Sequence, residues 1–111
     1  IKLISNFTKG YIHGITATTP GFYGPQGRKL RANISLPYLL DALSNFNSRS
    51  QKILNYEMET SALYGLGKML GHNCLSISTV VANRTTETTT YNADAAIGRM
   101  IQKSLGIIEK I

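Results

Sequence analysis

Two glutamates, Glu57 and Glu59, flank Met58 where a β-rich stretch gives way to a helical one. A carboxylate at such a junction has two uses. It can cap the helix, accepting hydrogen bonds from first-turn amides at the positive end of the dipole. It can also grip the hydroxyls of a sugar, because α/β folds bind ligands beyond the carboxyl ends of their strands. Spacing alone favours the capping role. A second group lies in residues 20–28, where three Gly and two Pro impose a loop of fixed shape. That loop sets Phe22 and Tyr23 beside Gln26 and Arg28. Gln offers a donor and an acceptor, Arg a rigid fork of donors, so together they can read the edge of an amide-like ring while an aromatic ring stacks on it or meets its edge. Any exposed loop can hold a Gln and an Arg, so this pairing is weak evidence by itself. His13 and His72 match no catalytic role and read as structural or exposed. No metal site is expected.

These residues need elements to position them. Leu3, Ile4 and Phe7 have helical spacing in residues 1–7, with nothing upstream to cap a helix, so the chain is expected to begin inside one. Residues 11–19 read as a β-branched strand that stops at Pro20 and Gly21. Ser35 and Pro37 mark a helix start, with Leu36, Leu39, Leu40, Leu43 and Phe46 as its apolar stripe. Residues 47–52 are polar and read as an exposed connection, residues 53–56 as a short strand leading into the two glutamates. Met58, Ala62, Leu63, Leu66, Met69 and Leu70 then recur at helical spacing, and Gly71 stands where a left-handed residue ends a helix. Residues 74–82 form an apolar run, expected as a central strand covered on both faces with Cys74 as buried filler. A Thr-rich loop over residues 84–90 precedes a last amphipathic helix built on Ala93, Ile97, Met100, Ile101, Leu105 and Ile108. The expected order, (α)βαβαβα, is that of an α/β layered fold with a mostly parallel or mixed sheet flanked by helices. Three short strands make a thin sheet, which implies missing partners.

Composition narrows the function classes. At 111 residues, 42% hydrophobic and 16% charged, the chain holds enough apolar surface to pack as one globular unit. Its net charge of +6 points to an anionic partner. The cations are scattered, however, and the densest group, Arg28, Lys29 and Arg31, sits by the Gly/Pro loop, so a nucleic-acid stripe is not expected. No apolar run reaches the roughly 20 residues of a membrane span, and the opening residues do not resemble a secretory signal. Cys74 is the single cysteine and has no intrachain partner for a disulfide. A cytoplasmic protein without membrane partners is expected.

Taken together, three segments resemble a known family. Residues 21–28, Gly-Phe-Tyr-Gly-Pro-Gln-Gly-Arg, resemble the base-binding loop of uridine phosphorylases. Residues 55–62, Asn-Tyr-Glu-Met-Glu-Thr-Ser-Ala, resemble the ribose-binding segment of the same nucleoside phosphorylase family. Residues 80–85, Val-Val-Ala-Asn-Arg-Thr, resemble a third segment that lines the base pocket. All three occur in the family's order. The resemblance implies that Gln26 pairs with O2 and N3 of a pyrimidine, that Arg28 lies near O4, and that Phe22 lines the base and sugar pocket. Glu59 with the Met58 main-chain amide would clamp the ribose hydroxyls, with Glu57 as a supporting carboxylate. Val81 and Ala82 would form an apolar wall, and Arg84 would order the pocket around Arg28, although a salt-bridged or solvated loop role suits Arg84 equally.

The implied reaction is phosphorolysis, with phosphate as co-substrate and no cofactor. Glu59 and Arg28 would be its catalytic groups. Donors facing the base gain strength as negative charge grows on it in the transition state, and a carboxylate on the ribose acts by positioning. The family's Gly-rich phosphate loop and its arginines find no counterpart here. Residues 1–111 are therefore expected to be the C-terminal part of a single phosphorylase domain whose N-terminal part, with most of the phosphate site, is absent. Such a piece is expected to be inactive alone and to form homo-oligomers. Purine-specific relatives place an Asp near the end of the strand that here ends in Ala82-Asn83-Arg84, where this chain has none. Two alternatives stay open: a purine nucleoside phosphorylase or nucleosidase relative, and a small basic nucleotide-binding module without catalysis.

Overall fold

The computed structural model of the chain describes Phe7 and residues 9–110. Apart from Phe7, the helix expected over residues 1–7 lies outside the described residues. The chain divides into two compact units, His13–Ser76, and Ile77–Ile111 together with the segment that ends at Ile12.

The first unit is built on a three-stranded mixed sheet in the order β1-β3-β2. Strand β1 is Ile15–Thr18, β2 is Asn47–Ser48 and β3 is Gln51–Glu57. β1 and β3 run parallel, as a crossover through an intervening helix allows, and that helix, α1, covers Leu39–Asn45. α1 starts later than Ser35 and Pro37 suggest: the Leu39 amide bonds to the Leu36 carbonyl, and Tyr38 holds the N-cap position without a side-chain cap.

The polar residues expected to form a mere connection instead form a hairpin. Asn47 and Ser48 pair antiparallel with Lys52 and Gln51, and Arg49 and Ser50 both take positive φ, 50° and 66°. Two positive φ values in a two-residue loop follow the twist of the flanking strands, a geometry usually given to Asn-Gly, which is why Arg-Ser hides it in the sequence.

The β1–β3 ladder changes register once. Ile15 pairs with Ile53, but Thr16 pairs with Asn55, so Leu54 is an extra residue on β3. The consequence falls at the strand ends. Thr18 stands opposite Glu57, whereas an unbroken register would have set it opposite Tyr56 and turned Glu57 to the other face.

Helix α2, Thr60–Met69, follows β3 directly, and Gly71 closes it in the left-handed region at φ 73°, as the spacing predicts. The expected central strand over residues 74–82 does not form. Among the described residues only Ala82 of that run is paired, and Val80 and Val81 are exposed. An apolar β-branched run signals a preference for burial; a strand also needs a neighbour with free main-chain groups, and among the described strands none pairs with residues 74–81. Cys74 is accordingly half-buried.

In the second unit β4, Ala82–Asn83, and β5, Thr88–Thr89, form a small antiparallel hairpin. Its loop is shaped by the Asn83 side-chain oxygen, which accepts from the amides of Thr85 and Thr86. Helix α3, Ala93–Ile108, begins at Asn92, whose side chain accepts from the Ala95 amide. Phe7 is buried and meets Tyr11 edge-on, and Tyr11 in turn bonds to Ser104 of α3.

Both long helices keep apolar residues open to solvent. On α2 and its end Leu66, Met69 and Leu70 are 59%, 82% and 67% exposed; on α3 Ile101, Leu105 and Ile108 are 47%, 53% and 56% exposed. Uncovered apolar area of this kind drives association. The isolated chain is expected to self-associate, so light scattering over a dilution series should give a mass above that of one chain at high concentration. A single-chain mass throughout would contradict this.

Candidate functional site

The carboxyl ends of β1 and β3 bring the sequence-selected acids into one network. Glu57, the last residue of β3, extends its carboxylate over the start of α2. One carboxylate oxygen accepts from the Thr18 hydroxyl; the other accepts from the Glu59 amide at 2.7 Å and the Thr60 amide at 2.8 Å. The Thr18 hydroxyl also accepts from the Ser61 amide at 3.2 Å, and the Thr19 amide donates to the Glu57 carbonyl at 3.0 Å. Glu57 therefore caps α2 from two residues before the Glu59 N-cap and joins the ends of both parallel strands to the helix.

This setting lowers the pKa of Glu57 strongly. Burial pushes its pKa up, but donation from the Thr18 hydroxyl, from the Glu59 and Thr60 amides and from the Thr60 hydroxyl outweighs it, taking the pKa from the ordinary 4.5 to about 2.

Glu59 is placed differently. It is exposed, and its carboxylate turns back toward the strand, where it accepts from the Met58 amide at 3.2 Å. Met58 is 39% exposed. The Glu59 carboxylate, held by the Met58 amide, is thus an acceptor with solvent access at the carboxyl end of the sheet.

The Gly/Pro loop has a defined shape. Residues Gly24–Gln26 wind into one 3-10 turn, the Tyr23 carbonyl accepts from the amides of both Gln26 and Arg28, and Gly27 reverses the chain at φ 71°. The turn brings Gln26 and Arg28 into contact: Arg28 donates from Nη1 to the Gln26 side-chain oxygen and to the Phe22 carbonyl. Its guanidinium lies 3.7 Å from the centre of the Phe22 ring. Gln26 is buried at 5% exposure, while Phe22 is half exposed. The loop is tied to the strand that ends in Glu57 by the Tyr56 hydroxyl, which donates to the Pro25 carbonyl at 2.7 Å. A cavity of about 420 Å³ opens on one side of the loop, lined by Tyr23, Arg28, Leu30, Ile34 and Leu36 among others.

Phe22, Gln26, Arg28, Glu57, Met58 and Glu59 all belong to the first unit; Val81, Ala82 and Arg84 belong to the second. Val81 and Ala82 are exposed there, at the start of the β4–β5 hairpin, and Arg84 is half-buried in its loop. Sequence reasoning missed Thr18, Tyr56 and Ser61 as parts of the network. A Thr at a strand end carries no signal by itself; its role depends on the register shift at Leu54. Among the described residues no group of three or more His, Cys, Asp or Glu side chains is arranged to hold a metal, and no helix is long and apolar enough to cross a membrane.

The parallel strands, the crossover helix and the polar groups gathered at the strand ends define a class: an α/β protein with a polar site at the carboxyl edge of its sheet. The particular family follows from the sequence match. The model of the phosphorylase superfamily matches residues 7–111, nearly the whole chain, and the protein belongs to that family. No curated protein and no solved structure matches the chain.

The Glu57 network yields a test at acid pH. Because the folded pKa of about 2 lies below the ordinary 4.5, the stabilisation from Glu57 is complete above about pH 4.5 and is lost as pH falls toward 2. Glu57→Gln is therefore expected to be less stable than the parent chain at pH 7 and to show a flatter loss of stability between about pH 4.5 and 2, measured by urea unfolding. Identical acid limbs in the two proteins would refute the assignment.

Proposed function

We propose that this chain supplies the base- and ribose-binding groups of a nucleoside phosphorylase that cleaves uridine-like nucleosides with phosphate, releasing the free base and ribose 1-phosphate. Membership of the phosphorylase superfamily supports a pentosyl-transfer reaction of this kind. The observation that carries the reading is the unequal pair of glutamates. Glu57 is engaged by the helix start, and Glu59, paired with the Met58 amide, is left at the solvent-facing strand end.

In this reading the Glu59 carboxylate accepts from ribose hydroxyls while the Met58 amide, which donates to that carboxylate, holds it in place. The clamp fixes the sugar for attack by phosphate on the anomeric carbon, a gain from positioning. The base lies against Gln26 and Arg28. Gln26 pairs through its carboxamide with O2 and N3 of the pyrimidine, and Arg28 steadies it through the bond to the Gln26 side-chain oxygen. Arg28 has five N–H donors, and those of its fork that do not hold Gln26 and Phe22 face the base O4. As the glycosidic bond breaks, negative charge grows on the base and these donors bind the transition state more tightly than the ground state. Phe22 lines the base and sugar pocket. Phosphate is the co-substrate, no cofactor is needed, and the enzyme works as a cytoplasmic homo-oligomer.

Base choice follows from chemistry at the end of the Ala82-Asn83-Arg84 segment. Purine cleavage benefits from an acid that protonates the ring nitrogen of the leaving base, and the nearest downstream carboxylate here is Glu87, in the hairpin loop. A purine edge would also present the wrong pattern of donors and acceptors to Gln26 and Arg28, and polar groups that lose water without a matching replacement discriminate strongly.

Two measurements on the native protein that contains these residues check the proposal. Uridine should be phosphorolysed in preference to inosine, and Gln26→Ala and Arg28→Ala should each reduce uridine cleavage; preference for inosine, or indifference to both substitutions, would overturn the pyrimidine reading. Glu59→Gln should lower uridine turnover by roughly ten- to a hundredfold, as expected for loss of a charged hydrogen bond acting at the transition state, with free-base binding nearly intact. Full turnover in that variant would remove Glu59 from the clamp.

A further inference from the structure

Thr18 belongs to none of the segments that resemble the phosphorylase site, yet it is the side chain on which three elements converge. It ends β1, stands opposite Glu57 across the parallel ladder, donates to one Glu57 carboxylate oxygen, and accepts from the Ser61 amide in the first turn of α2. We propose that Thr18 is a positioning residue for the ribose clamp: its hydroxyl fixes the Glu57 carboxylate, which fixes the main chain of residues 59–60 and so the placement of the Glu59 carboxylate beside the Met58 amide. The inference rests on the reading of Glu59 as that clamp.

Thr18 holds the Glu57 carboxylate oxygen that the main-chain amides do not. Glu57 has three side-chain torsions, the last of which turns the carboxylate itself, and strand pairing restrains none of them. The two amides that bond to it share one oxygen, at 2.7 and 2.8 Å, so they hold that oxygen and leave rotation about it open. The Thr18 bond on the second oxygen closes that freedom. The hydroxyl has one proton and gives it to Glu57, so the Ser61 amide meets its lone pair; both partners fix the direction of the same O–H. A hydroxyl is required here. Valine has the same shape but can neither donate to the carboxylate nor accept from the amide.

The effect on function follows from what the clamp must distinguish. Glu59 reaches substrate from the N-cap position of α2, so its aim depends on the conformation of residues 57–60. If that turn loosens, Glu59 loses contact with the sugar hydroxyls first, while the base contacts, carried by the loop that Tyr56 holds through Pro25, stay in place.

The test compares Thr18→Val, Thr18→Ala and Thr18→Ser in the native protein by two readouts. The first is amide hydrogen exchange at Glu59, Thr60 and Ser61, which needs no substrate. It should rise about tenfold in the valine and alanine variants, the factor expected for loss of roughly one net hydrogen bond, and remain at the parent rate in the serine variant. The second is the ratio of kcat/KM for uridine over 2′-deoxyuridine, which reports the grip on the 2′-hydroxyl. It should fall about tenfold without the hydroxyl and recover with serine, while binding of free uracil is unchanged. If the valine variant does not fold, the alanine variant reads the same two quantities without the branched side chain. Parent-like exchange in the variants lacking the hydroxyl overturns the positioning role, as does faster exchange with an unchanged ratio. If the native protein cleaves neither nucleoside, the phosphorylase reading fails instead, and the exchange measurement still decides whether Thr18 orders the start of α2.

Discussion

A single carboxylate holds the described site together. Glu57 accepts hydrogen bonds from the end of β1, through Thr18, and from the start of α2, through the Glu59 and Thr60 amides, while its own main chain closes β3. A helix start leaves several amides without intrahelical partners, and a charged acceptor meets that need better than a neutral one. The pKa of about 2 is the thermodynamic expression of the same fact: the groups around Glu57 favour its ionised form. Two glutamates separated by one residue would otherwise compete for the helix start. With Glu57 in that position, Glu59 is left where solvent, and in our reading a sugar, can reach it.

The base loop depends on the same strand one residue earlier. Tyr56 donates to the Pro25 carbonyl, and within the loop Arg28 ties Gln26 to Phe22 by two hydrogen bonds and a stacked guanidinium. Neighbouring residues of β3 thus serve the two halves of the proposed nucleoside site, Tyr56 the base side and Glu57 the ribose side. Alternation along a strand sends the two side chains to opposite faces, so one short strand can support both without crowding.

The parts of this arrangement that were legible in the sequence are those set by local chemistry. The Gly/Pro pattern of residues 20–28 gives a shaped loop, Gly71 marks a helix end, and the Glu57/Glu59 junction points to the capping role that Glu57 takes. What escaped depended on partners distant in sequence. The extra Leu54 on β3 changes which residue faces Thr18, and no local pattern announces it. The Arg49-Ser50 turn lacks the usual residues for its geometry. The apolar run over residues 74–82 reads as a central strand by composition, yet strand formation requires a neighbour that the described residues do not provide. Family membership was legible because three segments, each weak alone, occur in one order, and the phosphorylase superfamily match over residues 7–111 bears that out.

The division of labour between the two glutamates is the central claim, and a crystal structure of the native protein with uridine and phosphate bound tests it most directly. The account predicts the Glu59 carboxylate within hydrogen-bonding distance of the ribose hydroxyls, with Glu57 still bonded to Thr18 and the Glu59 and Thr60 amides and making no contact with the nucleoside. A ribose held by Glu57, with Glu59 turned away into solvent, would contradict it.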